Sequence, residues 1–94
     1  MKRDSYIVEF VLRAIEALPL GDEISDTEIH SQLKEKKVIG DRLPDQVKAA
    51  MLMLRDAGFI EARVRTDGIR IIDAAAWRLT WAGAELLAPF QKMQ

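Results

Sequence analysis

Along the first twenty positions, apolar residues recur at helical spacing, and Ile7, Phe10, Val11, Ala14, Ile15 and Leu18 share one face. Val8 and Leu12 widen that stripe beyond what a helix lying on a surface requires. The pattern predicts a central helix, capped by Asp4 or Ser5 and stopped by Pro19 and Gly21. Its breadth also suits a dimer interface. A short extended segment, Glu23 to Ser25, leads into a second helix capped by Ser25 or Asp26. Glu28 lies in its first turn, where a carboxylate favours the positive end of the dipole, and Ile29 and Leu33 face inward. Lys34, Lys36 and Lys37 crowd the last turn, which suits the negative end. VIGDRL reads as a turn, and Pro44 fits the first position of a third helix running to Ala57. That helix carries Val47, Ala50, Met51 and Leu54 on one face, and Gly58 ends it in a left-handed cap.

The period then drops from about 3.6 residues to about 2. In FIEARVR, Ile60, Ala62 and Val64 point one way while Glu61, Arg63 and Arg65 point the other. Thr66-Asp67-Gly68 is a hairpin signal, and IRII returns as a second strand with Ile69 and Ile71 alternating against Arg70. DAAA reads as either a loop or a bulge, and Trp77 and Leu79 as inward residues of the strand's end. Thr80 caps a last helix, a cap whose loss costs about 1 kcal/mol. Trp81 is expected to pack beneath the hairpin, with Leu86 and Leu87 continuing the apolar side. Helix, short strand, two helices, two strands and a helix make the order of an α+β winged helix-turn-helix domain. The chain is thus expected to form one domain over 1–94. The helix-turn-helix falls at 26–57, the wing at 59–79 and the C-terminal helix at 81–91.

Two segments carry a family resemblance. LRDAGFIEARV, residues 54–64, resembles the recognition-helix exit and first wing strand of many winged-helix regulators. WRLTWAGAELL, residues 77–87, resembles their second wing strand running into a final helix. The opening MKRD combined with the closing RLTW-x-G is more specific. It resembles an uncharacterised domain-of-unknown-function family of short phage, prophage and bacterial proteins. The resemblance spans nearly the whole chain apart from Glu35 to Gln46. It implies a winged-helix fold and a mobile-element setting, and it brings no ligand and no functional residues.

Composition then narrows the chemistry. With no cysteine, disulfides and thiolate metal sites are excluded. His30 is the only histidine, no G-x-S-x-G motif occurs, and no carboxylate clustering suggests a metal. These features argue against an enzyme, a metal site or a cofactor, and they make His30 a partly exposed helix residue. No apolar run approaches the roughly 20 residues of a membrane span, so a cytoplasmic location is the default.

The formal net charge is −1, short of the basic excess of a strong nucleic-acid binder. Its distribution is uneven: residues 1–33 hold three basic and seven acidic side chains, and residues 34–94 hold eleven and eight. Double-stranded DNA is one candidate partner. Its contacts would come from Lys34, Lys36, Lys37 and Arg42 around the turn, from Gln46, Lys48 and Arg55 on the third helix, and from Arg63, Arg65 and Arg70 on the wing. Gln46 could read an adenine edge. The wing arginines serve equally as a solvated strand edge that discourages aggregation. Asp45 and Asp56 oppose phosphate, and AAMLML is apolar nearly all round. Met51 and Met53 suit gap-filling in the core, whereas an exposed Leu52 or Met53 would mark a protein interface. The second candidate is therefore a host protein that the chain inhibits or adapts, as an anti-defence or anti-CRISPR-type inhibitor does. Either way the first and last helices could form a homodimer.

Overall fold

The computed structural model describes residues 3–92, with side chains from Ser5 to Pro89. The elements run α1 (Arg3–Glu16), β1 (Ile24–Ser25), α2 (Asp26–Glu35), α3 (Leu43–Asp56), β2 (Ile60–Asp67), β3 (Arg70–Leu79) and α4 (Trp81–Lys92). The strands form one antiparallel sheet in the order β1-β3-β2. No helix among the described residues is long and apolar enough to cross a membrane.

The helices stop and start largely for local reasons. α1 already includes Arg3, which puts Asp4 and Ser5 inside its first turn instead of at a cap. It ends at Glu16, short of Pro19, and Gly21 turns the chain at φ +93°. Ser25 is the N-cap of α2, its hydroxyl accepting from the Glu28 N–H at 3.1 Å. Pro44 takes the second position of α3, after Leu43. α2 and α3 close alike. Val38 N–H reaches back to the Leu33 carbonyl and Lys37 N–H to that of Lys34, while Phe59 and Gly58 do the same to Leu54 and Arg55. Each pair of bonds is a Schellman motif, which needs a left-handed residue at its corner. Gly58 fills one corner at φ +83°, and Lys37 fills the other at φ +63°.

A side chain in that conformation costs roughly 1–2 kcal/mol, which glycine avoids. Lys37→Gly should therefore raise stability by about 1 kcal/mol, seen as a higher urea midpoint at unchanged slope. A midpoint that stays put or falls would refute the strain.

Ile7, Val11, Leu12 and Ile15 of α1 share the core with Ile29 and Leu33 of α2, Leu43, Val47, Met51 and Leu54 of α3, Ile60 of β2 and Leu87 of α4. Met51 is fully buried as expected, but Met53 is 65% exposed and fills no gap. DAAA is neither loop nor bulge: it is the central stretch of β3, paired throughout with β2 and, at Ala75 and Ala76, with β1 as well. Ala74 and Ala76 are buried there, and their small side chains let the helices lie close on the sheet. β1 pairs Ile24 with Ala76 and Ser25 with Ala75. The next rung is made by a side chain, since the buried Asp26 carboxylate accepts the Ala74 N–H at 3.1 Å.

The strand register slips twice. Between Glu61↔Arg78 and Ala62↔Ala76, β3 has one extra residue, Trp77; between Arg65↔Asp73 and Thr66↔Ile71 the extra residue is Ile72. Each bulge resets the two-residue alternation. Leu79 therefore packs on the core, while Trp77 stays on the solvent side, where its indole N–H donates to Glu61 at 3.1 Å. Ile69 leaves the strand as well: the loop is Gly68-Ile69, closed by Asp67 opposite Arg70.

The last junction is tied by Thr80. Its hydroxyl accepts from the Gly83 N–H at 3.1 Å and donates to the Gly58 carbonyl at 2.6 Å, and its own N–H donates to the Phe59 carbonyl at 3.0 Å. The expected cap is present, with a second function of fastening α4 to the end of α3. Trp81 does not pack beneath the hairpin; it is 83% exposed.

Candidate nucleic-acid interface

α3 and the β2–β3 hairpin stand side by side, and a cleft runs between them. Asp45 and Lys48 line it from α3, and Asp67, Ile69, Arg70, Ile71 and Ile72 line it from the hairpin. Lys48 is half-buried, and its charge adds a small part to the lowering of the Asp73 carboxyl. Arg55 lies two turns further on, half-buried, its guanidinium 2.9 Å from Asp56. Gln46 lies on the other flank of α3, in a shallow depression with Ile7, Val8, Ala49, Ala50 and Met53. Leu52 is half-buried.

Arg63 and Arg65 alternate outward from β2, as their spacing predicts, but both are paired. Arg63 reaches Glu23 at 3.2 Å, with its guanidinium 5.8 Å from the centre of the Trp77 ring. Arg65 grips Asp73 through Nε at 2.9 and 3.0 Å and closes the fork with a second nitrogen. Arg78 is paired with Glu61 through a single guanidinium nitrogen. Lys34, Lys36, Lys37, Arg42, Lys48 and Arg70 make no salt bridge among the described residues. Arg42 occupies the N-cap position of α3 without a side-chain cap, and Lys34, Lys36, Lys37 and Arg42 are all exposed around the α2–α3 connection. The candidate cations thus divide into a paired set and an unpaired set. This division could not be read from the sequence, because Glu23 and Asp73 lie 40 and 8 residues from their partners.

The pairs leave a titration signature. Its hydrogen bond from Arg65 holds the Asp73 carboxyl below the usual aspartate value, against a smaller opposing effect of desolvation. Arg78 lowers Glu61 in the same way. A depressed folded pKa gives stability that is present above the unfolded value and lost as pH falls through the folded one. Arg65→Ala should move the Asp73 midpoint upward in a carboxyl-carbon NMR titration. A midpoint that does not move would show the pair to be absent in solution.

No family model and no curated protein matches the chain. Among solved structures, the chain resembles Bacillus subtilis PadR in complex with operator DNA, at 22% identity and a TM-score of 0.64. The match covers 92% of this chain and 46% of that one, so the chain spans about half the length of the solved protein. Four helices, a three-stranded antiparallel sheet and this likeness together give the chain a winged-helix fold.

Proposed function

We propose that the chain is a DNA-binding transcriptional regulator of phage or prophage type that acts in the cytoplasm. α3 enters the major groove and the β2–β3 wing follows the adjoining backbone and minor groove. The observation that carries this reading is the α3–wing cleft, where Lys48 on one wall and Arg70 on the other offer cations without a salt-bridge partner. Arg42 and the lysines of the α2–α3 connection extend that supply toward the start of α3. Arg55, Arg63 and Arg65 contribute by exchanging an exposed carboxylate for phosphate. Such exchange is cheap, because surface pairs are worth about 0–1 kcal/mol. The PadR structure holds operator DNA, which supports the reading at the level of the fold.

The test is a fluorescence-anisotropy titration with generic duplex DNA at low and moderate salt. Binding that weakens steeply with salt is expected. Absence of binding at low salt overturns the proposal.

One observation favours a second reading, a protein-binding module that inhibits or adapts a host protein. Ala49, Leu52 and Met53 make an apolar strip on the outer side of α3, and Met53 is well exposed. Exposed apolar strips more often meet protein than DNA. On that reading Met53→Asp abolishes capture of the partner at unchanged stability, while leaving DNA affinity as it was. A homodimer through α1 and α4 is compatible with both readings, and a monomer by light scattering at high concentration removes it.

A further inference from the structure

We propose that Ile69 is an apolar wedge, which the wing tip inserts into the minor groove of duplex DNA to part a base step and bend the duplex. The inference rests on the DNA-binding reading and adds to it a deformation of the DNA. Ile69 is the second residue of a two-residue loop and its accessibility is 102% of the reference value, so the side chain touches no core. Gly68 precedes it at φ +62°, a conformation that makes the turn tight and the tip narrow. Turn positions favour glycine, asparagine, aspartate and serine, because these tolerate the backbone or bond to it. A β-branched apolar residue here gains neither benefit and leaves its full surface in water.

The surroundings of Ile69 point to a groove. Ile71 and Ile72 follow it toward the cleft, and the bulge at Ile72 shifts the strand's alternation there, making the end of the wing an isoleucine edge. Asp67 lies opposite Arg70 at the closing pair, and Arg70, which makes no salt bridge among the described residues, stands beside Ile69 where it can meet phosphate. Gly68 and Ile69 themselves carry no charge, so apolar contact is the interaction left to the two loop residues. Isoleucine belongs to the residues that act as minor-groove wedges, which kink duplexes by roughly 20–90°. Pyrimidine–purine steps unstack most readily, so they are the steps such a wedge would select.

The experiment uses a short duplex of alternating thymine–adenine steps, with aminopurine in place of some adenines and a dye pair at its ends. Anisotropy reads binding, aminopurine fluorescence reads unstacking, and energy transfer reads bending. The full chain is expected to bind, raise the aminopurine signal and bring the ends closer. Ile69→Ala, a change at a side chain without core contacts, is expected to bind about tenfold more weakly and to lose both signals. Binding by the full chain with neither signal would overturn the wedge and leave the DNA reading intact. Retention of both signals by Ile69→Ala would do the same. Absence of binding would remove the DNA reading and the wedge with it.

Discussion

Replacing Gly83 with alanine should lower the melting temperature by about 12–25 °C, although alanine is the better helix former. The lowering follows from where α4 starts. Gly83 is buried and lies over the backbone of Phe59, at the exit of α3. An ideal Cβ there would fall far inside contact distance of the Phe59 carbonyl oxygen and 3.0 Å from its carbonyl carbon. Backbone cannot rotate aside as a long side chain can. The helix must lift, which stretches the three hydrogen bonds that Thr80 makes to Gly58, Phe59 and Gly83. Overpacking costs about 1–3 kcal/mol and each lost bond about 1 more, so at least about 3 kcal/mol is expected. For a chain of this size 1 kcal/mol corresponds to about 4–8 °C. Thr80→Ala should cost less, about 2 kcal/mol, because it removes two bonds without a clash. Helix propensity alone predicts the opposite sign for Gly83→Ala, a gain of up to about 1 kcal/mol. A thermal melt followed by circular dichroism decides, and a raised melting temperature would refute the close approach. The RLTW-x-G ending thus has a physical account for its threonine and its glycine: both fasten α4 to the α3–β2 corner.

That corner shows which parts of the fold were legible in the sequence. The order of elements follows from period and punctuation, which are local: helical spacing through Leu54, a left-handed Gly58, alternation from Ile60, and a threonine before Trp81. The inward stripe Val47, Ala50, Met51 and Leu54 is buried as its spacing predicts. What escaped the sequence depends on the third dimension. Two bulges reset the alternation of β3, so Trp77, read as inward, faces solvent. Asp26, read as a cap, completes a strand ladder 48 residues away. Ile69, read as a strand residue, sits in the loop, and the signal for this was the Asp67–Arg70 pair that closes a two-residue turn. The candidate cations were legible as residue types only. Their division into paired and unpaired depends on which carboxylates the sheet and the β1 entry bring alongside.

Loss of Lys48 and Arg70 together should reduce affinity for generic duplex DNA by about 60-fold at 0.1 M salt and flatten the salt dependence by about two ion equivalents. The estimate comes from counterion release, in which each phosphate neutralised adds about 0.9 to the slope of log affinity against log salt. Two contacts therefore amount to roughly 1.8 decades between 0.1 M and 1 M salt. Arg63→Ala/Arg65→Ala removes the same formal charge, but its slope should change by less. Those guanidiniums are already held by Glu23 and Asp73, and a phosphate contact requires each pair to be broken first. Comparing slopes separates the two cases better than comparing affinities, since both double variants change the overall charge equally. Both should fold, because Arg63, Arg65 and Arg70 are exposed and Lys48 is only half-buried. Anisotropy titrations at four or more salt concentrations give the slopes. Equal flattening by the two variants would show that the wing face, with its pairs exchanged, contacts phosphate as fully as the cleft does. A slope unchanged by Lys48→Ala/Arg70→Ala would move the DNA contact away from the cleft, leaving, among the described residues, the unpaired charge of Lys34, Lys36, Lys37 and Arg42 around the α2–α3 connection.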